Sequence, residues 1–433
     1  MATHKVLKTL FGLSATLGLI FCLTATTNAQ AIARPLPGTT QPVKVARGDQ
    51  TNPHVACSLA SYTDDDFTGI SVIKYFDFAT NTEHTMPGNG LDRLSATDGK
   101  RIAFSQLEAD GDHIVLYDIA SQTTTQIPGA GNLAPAVGGN LVAFVHGEGS
   151  NPSTFEISVY DQTNGTVTQL TNDTLSDRNA AVSPNGNVVV WEKCQSNGAG
   201  CDIYSATQTG PGSFTTRVLT SAGEDRFPDT NGQLVAYISD KSGDKDIYFQ
   251  PVGGSSEMHL AIPGEQRDLH VSNSLLVFES QTADLSYDVF LYDLSSARLY
   301  QVTNTPGVSE TLSDVVAGCD GINRIVYSVA GGFGDFDVYS FSFQLNDSVE
   351  DQLNDLMALV RSFNLHDGTE ASLISKLQDA LAAINSSDTA TACASLTAFI
   401  NASQAQSGKK LTADQANQVV CAAAQIKTDL GCS

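Results

Sequence analysis

Arg93, Arg178, Arg226 and Arg267 recur on a common period along this 433-residue chain, and their type and spacing are the first hint of chemistry. A guanidinium is a planar fork of donors that fits a carboxylate, so arginines ringing one opening would bind an acidic ligand. A second polar column, Glu156, Asp202, Asp246, Asp288 and Asp337, keeps the same period. Opposite charges on one repeat also read as a structural lock, with arginine and aspartate paired within or between repeat units, and the lock is the expected arrangement. No catalytic residue is assigned. The chain has no Gly-x-Ser-x-Gly elbow, no His-Glu-x-x-His zinc motif, no phosphate-cradling glycine loop and no dinucleotide fingerprint. His54, His113 and His270 have no partners close in sequence and receive no role. Several hairpins cluster oxygens: Asp64-Asp65-Asp66, then Glu108, Asp110 and Asp112, then Asp240, Ser242, Asp244 and Asp246. They lack EF-hand spacing, so no cofactor is expected, with calcium the one ion such loops suit.

The element that must position these columns is an internal repeat. An aromatic residue closes a short apolar run at Tyr62, Phe104, Phe144, Trp191, Tyr237, Phe278 and Tyr327, a period in the forties. Each unit reads as four short strands, with polar, glycine-bearing hairpins such as Asp240-Lys241-Ser242-Gly243-Asp244 joining the second and third. A second column, Val72, Ile114, Ile157, Ile203, Ile247, Val289 and Val338, keeps step along the third strands and suits packing between stacked sheets. Seven such units predict a seven-bladed β-propeller. Outermost strands read at Glu83–Met86, Thr123–Ile127, Thr166–Leu170, Thr215–Leu219, Glu257–Ile262 and Leu299–Val302, and the seventh unit lacks one. The strand-like segment near residues 41–46 is expected to supply it and close the ring.

From about Asp347 apolar spacing shifts to three and four residues, which predicts a small all-α C-terminal domain of about four helices. Its stripes run through Leu353, Leu356, Val360 and Phe363, then Leu373, Leu377, Leu381 and Ile384, then Leu396, Phe399 and Ile400, then Val419, Ala423, Ile426 and Leu430. Ser387-Asp388 and Thr412 are capping candidates. The N-terminus reads as a signal peptide over residues 1–29: Lys5 and Lys8, an apolar run from Leu10 to Leu23, and a small-residue site at Thr27-Asn28-Ala29. The expected division is therefore 1–29 signal peptide, 30–346 propeller and 347–433 helical module, in a secreted or periplasmic protein with no membrane span.

The cysteines fit export. Cys194 and Cys201 flank one hairpin and face each other across it, predicting a local disulfide. Cys57 and Cys319 fall at equivalent turns of blades one and seven, neighbours in a closed ring, so a bond there would staple the seam; two buried thiols are the alternative. In the tail Cys393–Cys432 is expected, leaving Cys421 free or intermolecular. Scattered histidines and the lack of Cys-x-x-Cys argue against zinc. The formal net charge of −24 disfavours nucleic acid as a partner and suits cationic partners or divalent ions.

The unit Arg226, Pro228, Asn231-Gly232, Leu234-Val235-Ala236-Tyr237, Ser239-Asp240 and Asp246-Ile247-Tyr248 resembles the TolB-type, WD40-like propeller repeat. The resemblance covers about 300 residues and implies the fold alone, because such repeats occur in binding proteins, peptidase accessory domains and lyases. No α/β domain is read ahead of the repeats, so TolB's role in an envelope complex is not implied. The tail, with Leu373-Ile374-Ser375-Lys376-Leu377, Ala398-Phe399-Ile400-Asn401 and Ser407 to Thr412, resembles the FIMAH-type module, which implies an accessory role. Together these features point to a secreted, non-catalytic binding or scaffold propeller. Its protein or carbohydrate partner would sit at the channel mouth or on one face, with Arg93, Arg178, Arg226 and Arg267 as ligand-binding candidates. The rival class is a glycan-active or other enzyme whose residues are dispersed over the blades.

Overall fold

A computed structural model describes residues 33–147, 155–254, 256–330, 335–345, 348–363 and 365–432, apart from the side chains of residues 362, 367, 413 and 414. The expected signal peptide, residues 1–29 with the cysteine at position 22 (Cys22), lies outside the described residues. Seven antiparallel sheets form the blades of a propeller, and four helices follow. The innermost strands, in blade order, are Asp49–Ala56, Asp92–Thr97, Asn132–Gly138, Ser176–Val182, Asp225–Thr230, Gln266–Ser272 and Glu310–Val316. Each packs beside the next, and the seventh packs on the first, so the ring is closed.

The two apolar columns explain how the sheets stack. All seven aromatics are buried on second strands, and Phe104 is wholly enclosed. Truncating a ring of this kind to alanine costs about 3–5 kcal/mol. The third-strand column is buried from Ile114 onward, but in blade one the inward residue is Ile73 rather than the expected Val72. Strand pairing gives the reason: Thr63, which follows Tyr62, stands opposite Ile73, just as Glu192 after Trp191 stands opposite Ile203. A one-residue slip moves every side chain to the other face of the sheet.

Closure follows the expected plan with a longer strand. Gly38–Lys44 pairs antiparallel with Phe336–Phe343 as the outer strand of blade seven, and the Ala46 amide donates to Asp337 at 3.1 Å. A further two-residue strand, Arg34–Pro35, adds in parallel to the outer edge of blade six at Tyr300 and Gln301. Thus the N-terminal segment covers two blade edges, removing templates for intermolecular pairing.

The expected cross-links are present. Cys57–Cys319 joins blades one and seven, Cys194–Cys201 spans the blade-four hairpin, and Cys393–Cys432 ties the third helix to the tail end. No described cysteine is free, which corrects the expectation that Cys421 is left over.

The helices are α1 (Val349–Ser362), α2 (Asp367–Asn385), α3 (Thr389–Gln406) and α4 (Ala413–Asp429). Asp388 caps α3, and Thr412 with Gln415 forms a capping box on α4, so the first-turn amides have acceptors. Leu353, Val360, Leu377, Phe399 and Val419 meet in one core. Asp355 of α1 pairs with Arg34 and, at 2.7 Å, with Arg298 of blade six, so an ionic clasp joins the tail, the N-terminal strand and the propeller.

Candidate functional site

Each innermost strand carries the same irregularity. Register shifts follow Thr51, Arg93, Leu133, Arg178, Arg226, Arg267 and Thr311. The next residue is left-handed in every case: Asn52, Leu94, Ala134, Asn179, Phe227, Asp268 and Leu312, with φ between 48° and 55°. A non-glycine residue held there costs about 1–2 kcal/mol, so the conformation persists because the ring imposes it. A bulge of this kind interrupts the ladder, and the preceding blade satisfies freed amides. Leu94 N donates to Thr63, Ala134 N to Ser105, Phe227 N to Glu192 and Ser313 N to Glu279, at 3.0–3.3 Å.

Pairing resumes two residues after each left-handed position, at His54, Ala96, Ala136, Ala181, Asp229, His270 and Asp314. This column is one-sided. Blades two, three and four contribute alanine, whereas blades five, six, seven and one contribute Asp, His, Asp and His. The rings of His270 and His54 meet edge to face, with centroids 5.7 Å apart, although blade seven separates their blades. Residues of non-adjacent blades can touch only across the channel, which places both imidazoles inside it.

The polar half of the ring is wired through carboxylates. Asp314 accepts the Val55 amide at 2.9 Å and lies 3.3 Å from His54 Nδ1, while Asp229 accepts the Val271 amide at 2.7 Å. His270 Nδ1 lies between them, 3.6 Å from Asp229 and 3.7 Å from Asp314. The His270 side chain is 29% exposed, toward the channel. Burial disfavours its charge, but Asp314 and Asp229 outweigh burial and raise its pKa to about 10. Burial likewise pushes Asp314 upward, and the facing His270 and His54 overcome this and hold the carboxyl below the usual range. His270 is therefore an imidazolium across neutral pH, fixed between two carboxylates.

The four predicted arginines lie at one level, just before the bulges, and every one is engaged. Arg93 donates to both oxygens of Asp112 at 2.8 Å. Arg178 reaches Glu192 at 2.6 Å, and Arg226 approaches the same carboxylate from the next blade at 3.6 Å while binding Glu224 at 3.0 Å. Arg267 donates to Glu279 at 2.7 Å and lies over the Tyr287 ring at 3.5 Å. Burial, with Asp268 nearby, pushes Glu279 up to about 8 against this pairing. The lock thus exists, with partners other than those expected. Four of the five acidic-column residues bind other groups: Glu156 accepts from Asp173 N, Asp246 from His259 and from Ser242 in the hairpin, Asp288 from Gln301, and Asp337 from Ala46 N. Of the hairpin oxygens considered for calcium, Asp65 and Asp66 accept turn groups, Asp112 meets Arg93, and Asp240 accepts Glu224 N.

His54 and His270 were passed over in the sequence because their partners are remote in it. The repeat itself holds the missing signal: the channel residue stands three positions after each repeat arginine, so aligning the units exposes the Ala-to-Asp/His asymmetry.

No family model and no curated protein matches the chain. Solved structures do match. The β-propeller domain of the Trilobed protease from Pyrococcus furiosus, described as having an open velcro topology, aligns at TM-score 0.52 and 13% identity, over 70% of this chain and 96% of that one. Acylaminoacyl peptidase from Pyrococcus horikoshii aligns at 0.53 and 13%, over 70% of this chain, which spans about half the peptidase (53%). An oligogalacturonate lyase in complex with manganese aligns at 0.52 and 12%, over 73% of this chain and 99% of the lyase. TolB from Acinetobacter baumannii is also among the matches, at 0.40 and 15%, over 71% of this chain and 79% of TolB. The likeness is one of fold. Chains of this fold include peptidases and a lyase, so the fold by itself assigns no function.

Proposed function

We propose that this chain is an exported, non-catalytic binding propeller whose ligand enters the channel and is oriented by Asp229, His270, Asp314 and His54. The observation that carries the reading is the asymmetry of the channel column. Four ionisable groups face three alanines, so small apolar side chains stand on one side and hydrogen-bonding groups on the other, a composition suited to a specific small site. Carboxylates beside a fixed imidazolium offer acceptors and donors to a polyhydroxylated or peptide group. The arginine column is spent on Asp112, Glu192, Glu224 and Glu279, so Arg93, Arg178, Arg226 and Arg267 serve to shape the mouth. Three disulfides suit an oxidising compartment. The helical unit, clasped to blade six through Asp355, is an accessory module of the FIMAH type in this reading.

The rival reading, an enzyme with dispersed residues, draws on the same histidines. With Asp314 and Asp229 favouring its charged form, His270 would serve such an enzyme as an acid or a charge stabiliser rather than as a base. The test is glycan-array and peptide-library binding by the full chain, followed by calorimetry on the hits with Asp229→Asn and His54→Ala. Binding that weakens at least tenfold in both variants while both stay folded supports the proposal. Turnover of a bound glycan or peptide, abolished by His54→Ala, would replace it with the enzyme reading.

A further inference from the structure

Outside the channel, three carboxylates converge at the seam between blades three and four. Glu156 begins the third strand of blade three, Asp177 lies in the innermost strand of blade four, and Asp173 sits on the connection between the blades. One ligating oxygen from each lies within 4.8 Å of the others. Glu156 and Asp177 are buried, and Asp173 forms an exposed lip.

Two oxygens in this cluster are unsatisfied. Glu156 Oε1 accepts the Asp173 amide at 2.9 Å, while its buried Oε2 has no hydrogen-bond partner among the described residues. Asp177 Oδ1 accepts Trp191 Nε1 at 2.8 Å and the Thr171 side chain also bonds this carboxylate, while its buried Oδ2 meets no hydrogen-bond criterion among the described residues and lies 3.5 Å from the Lys193 ammonium. Lys193 also pairs with Asp173. Buried carboxylates this close repel each other unless a proton or a cation lies between them.

We infer that this seam is a divalent-cation site, with calcium as its ion and Glu156, Asp173 and Asp177 as its protein ligands. Calcium takes oxygen ligands at about 2.3–2.6 Å, so oxygens within 4.8 Å of one another fit around one ion. Three carboxylates and one ammonium sum to the charge that a divalent ion neutralises. Asp173 gives the ion an entry from solvent, and water fills its remaining coordination positions. Ligands drawn from two blades make the ion a clamp across their seam. Neither of the other two carboxylate groupings offers this: Glu108, Asp110 and His113 lie mostly exposed on a hairpin, and the cysteines beside Glu192 are in a disulfide. The seam is distinct from the hairpins that the sequence suggested for calcium.

The chain carries its own probe, because its one tryptophan, Trp191, is hydrogen-bonded to a proposed ligand. The full-length protein, stripped with EDTA, would be titrated with terbium while exciting Trp191, then with calcium as competitor. Thermal unfolding would be followed with and without millimolar calcium. The expected result is saturable terbium emission displaced by calcium, a melting temperature several degrees higher with calcium, and loss of both effects in Glu156→Gln and Asp173→Asn. Glu156→Gln keeps the acceptor for Asp173 N, so its calcium-free melting temperature should match or exceed that of the wild type. Emission that is absent, or unchanged in both variants, overturns the inference. So does a calcium-independent melting temperature that rises on acidification toward pH 5, because the carboxylates would then share a proton.

Discussion

Removing the Cys57–Cys319 bond by the double change Cys57→Ala and Cys319→Ala should be the most destabilising loss of any single cross-link described here. The bond closes a loop of 262 residues, against 39 for Cys393–Cys432 and 7 for Cys194–Cys201. In the chain-entropy model the loop term grows with the logarithm of loop length, giving about 5–6 kcal/mol for the seam bond, about 4 for the tail bond and about 2–3 for the hairpin bond. The native seam has other ties. Gly38–Lys44 stays on blade seven, Val55 N stays on Asp314, and Arg324 donates to the Cys57 carbonyl at 3.4 Å. The variant should therefore still fold, with the loss appearing as extra freedom of the unfolded chain. Urea unfolding read by Trp191, buried in blade four and remote from the seam, is the assay. With a slope of roughly 3 kcal/mol per M, the midpoint should fall by about 1.5–2 M. A fall no larger than that of a Cys194→Ala, Cys201→Ala variant would refute the loop-length reasoning and assign the seam's stability to the closing strand.

Two further outcomes follow. His270 has a pKa raised from 6.5 to about 10, so its contribution is fully present below pH 6.5 and is lost as pH climbs through 10. At about 1.4 kcal/mol per unit, halved for channel water, the wild type should lose roughly 2 kcal/mol between pH 7 and pH 10. His270→Gln should lose much less, and parallel pH profiles of melting temperature for the two proteins would contradict the assigned ion pairs. Removing residues 1–46 strips the outer strand from blade seven and bares the edge of Phe336–Phe343. Light scattering should then detect dimers or larger species, and a monomer of unchanged stability would show that this edge needs no cover.

The blades were legible because burial acts on every repeat in the same way. Each unit must hide one aromatic and one aliphatic residue between neighbouring sheets, so the columns from Tyr62 to Tyr327 and from Ile114 to Val338 show the fold directly. The Val72 reading slipped by one residue because blade one carries apolar residues at both positions, and only pairing with Thr63 selects Ile73. Closure by the N-terminal segment was legible too, since blade seven had no outer strand of its own. Arginine partners were not, because a guanidinium reaches any acid within several ångströms. Glu192 and Glu279 lie on second strands, and sequence distance gave no reason to prefer them over the acidic column.

The sequence by itself determined the number of blades and the helical tail, because periodic burial is a local property repeated along the chain, and it suggested three cysteine pairings that the structure contains. Only the tertiary structure decided what faces the channel. His54 and Asp314 are 260 residues apart yet 3.3 Å in contact, because closing the ring brings the first blade against the last. The seam of Glu156, Asp173 and Asp177 likewise exists only where two blades stack. Charges that lie apart along the chain come into register when the sheets do, and their interaction depends on that distance and on the water excluded around them.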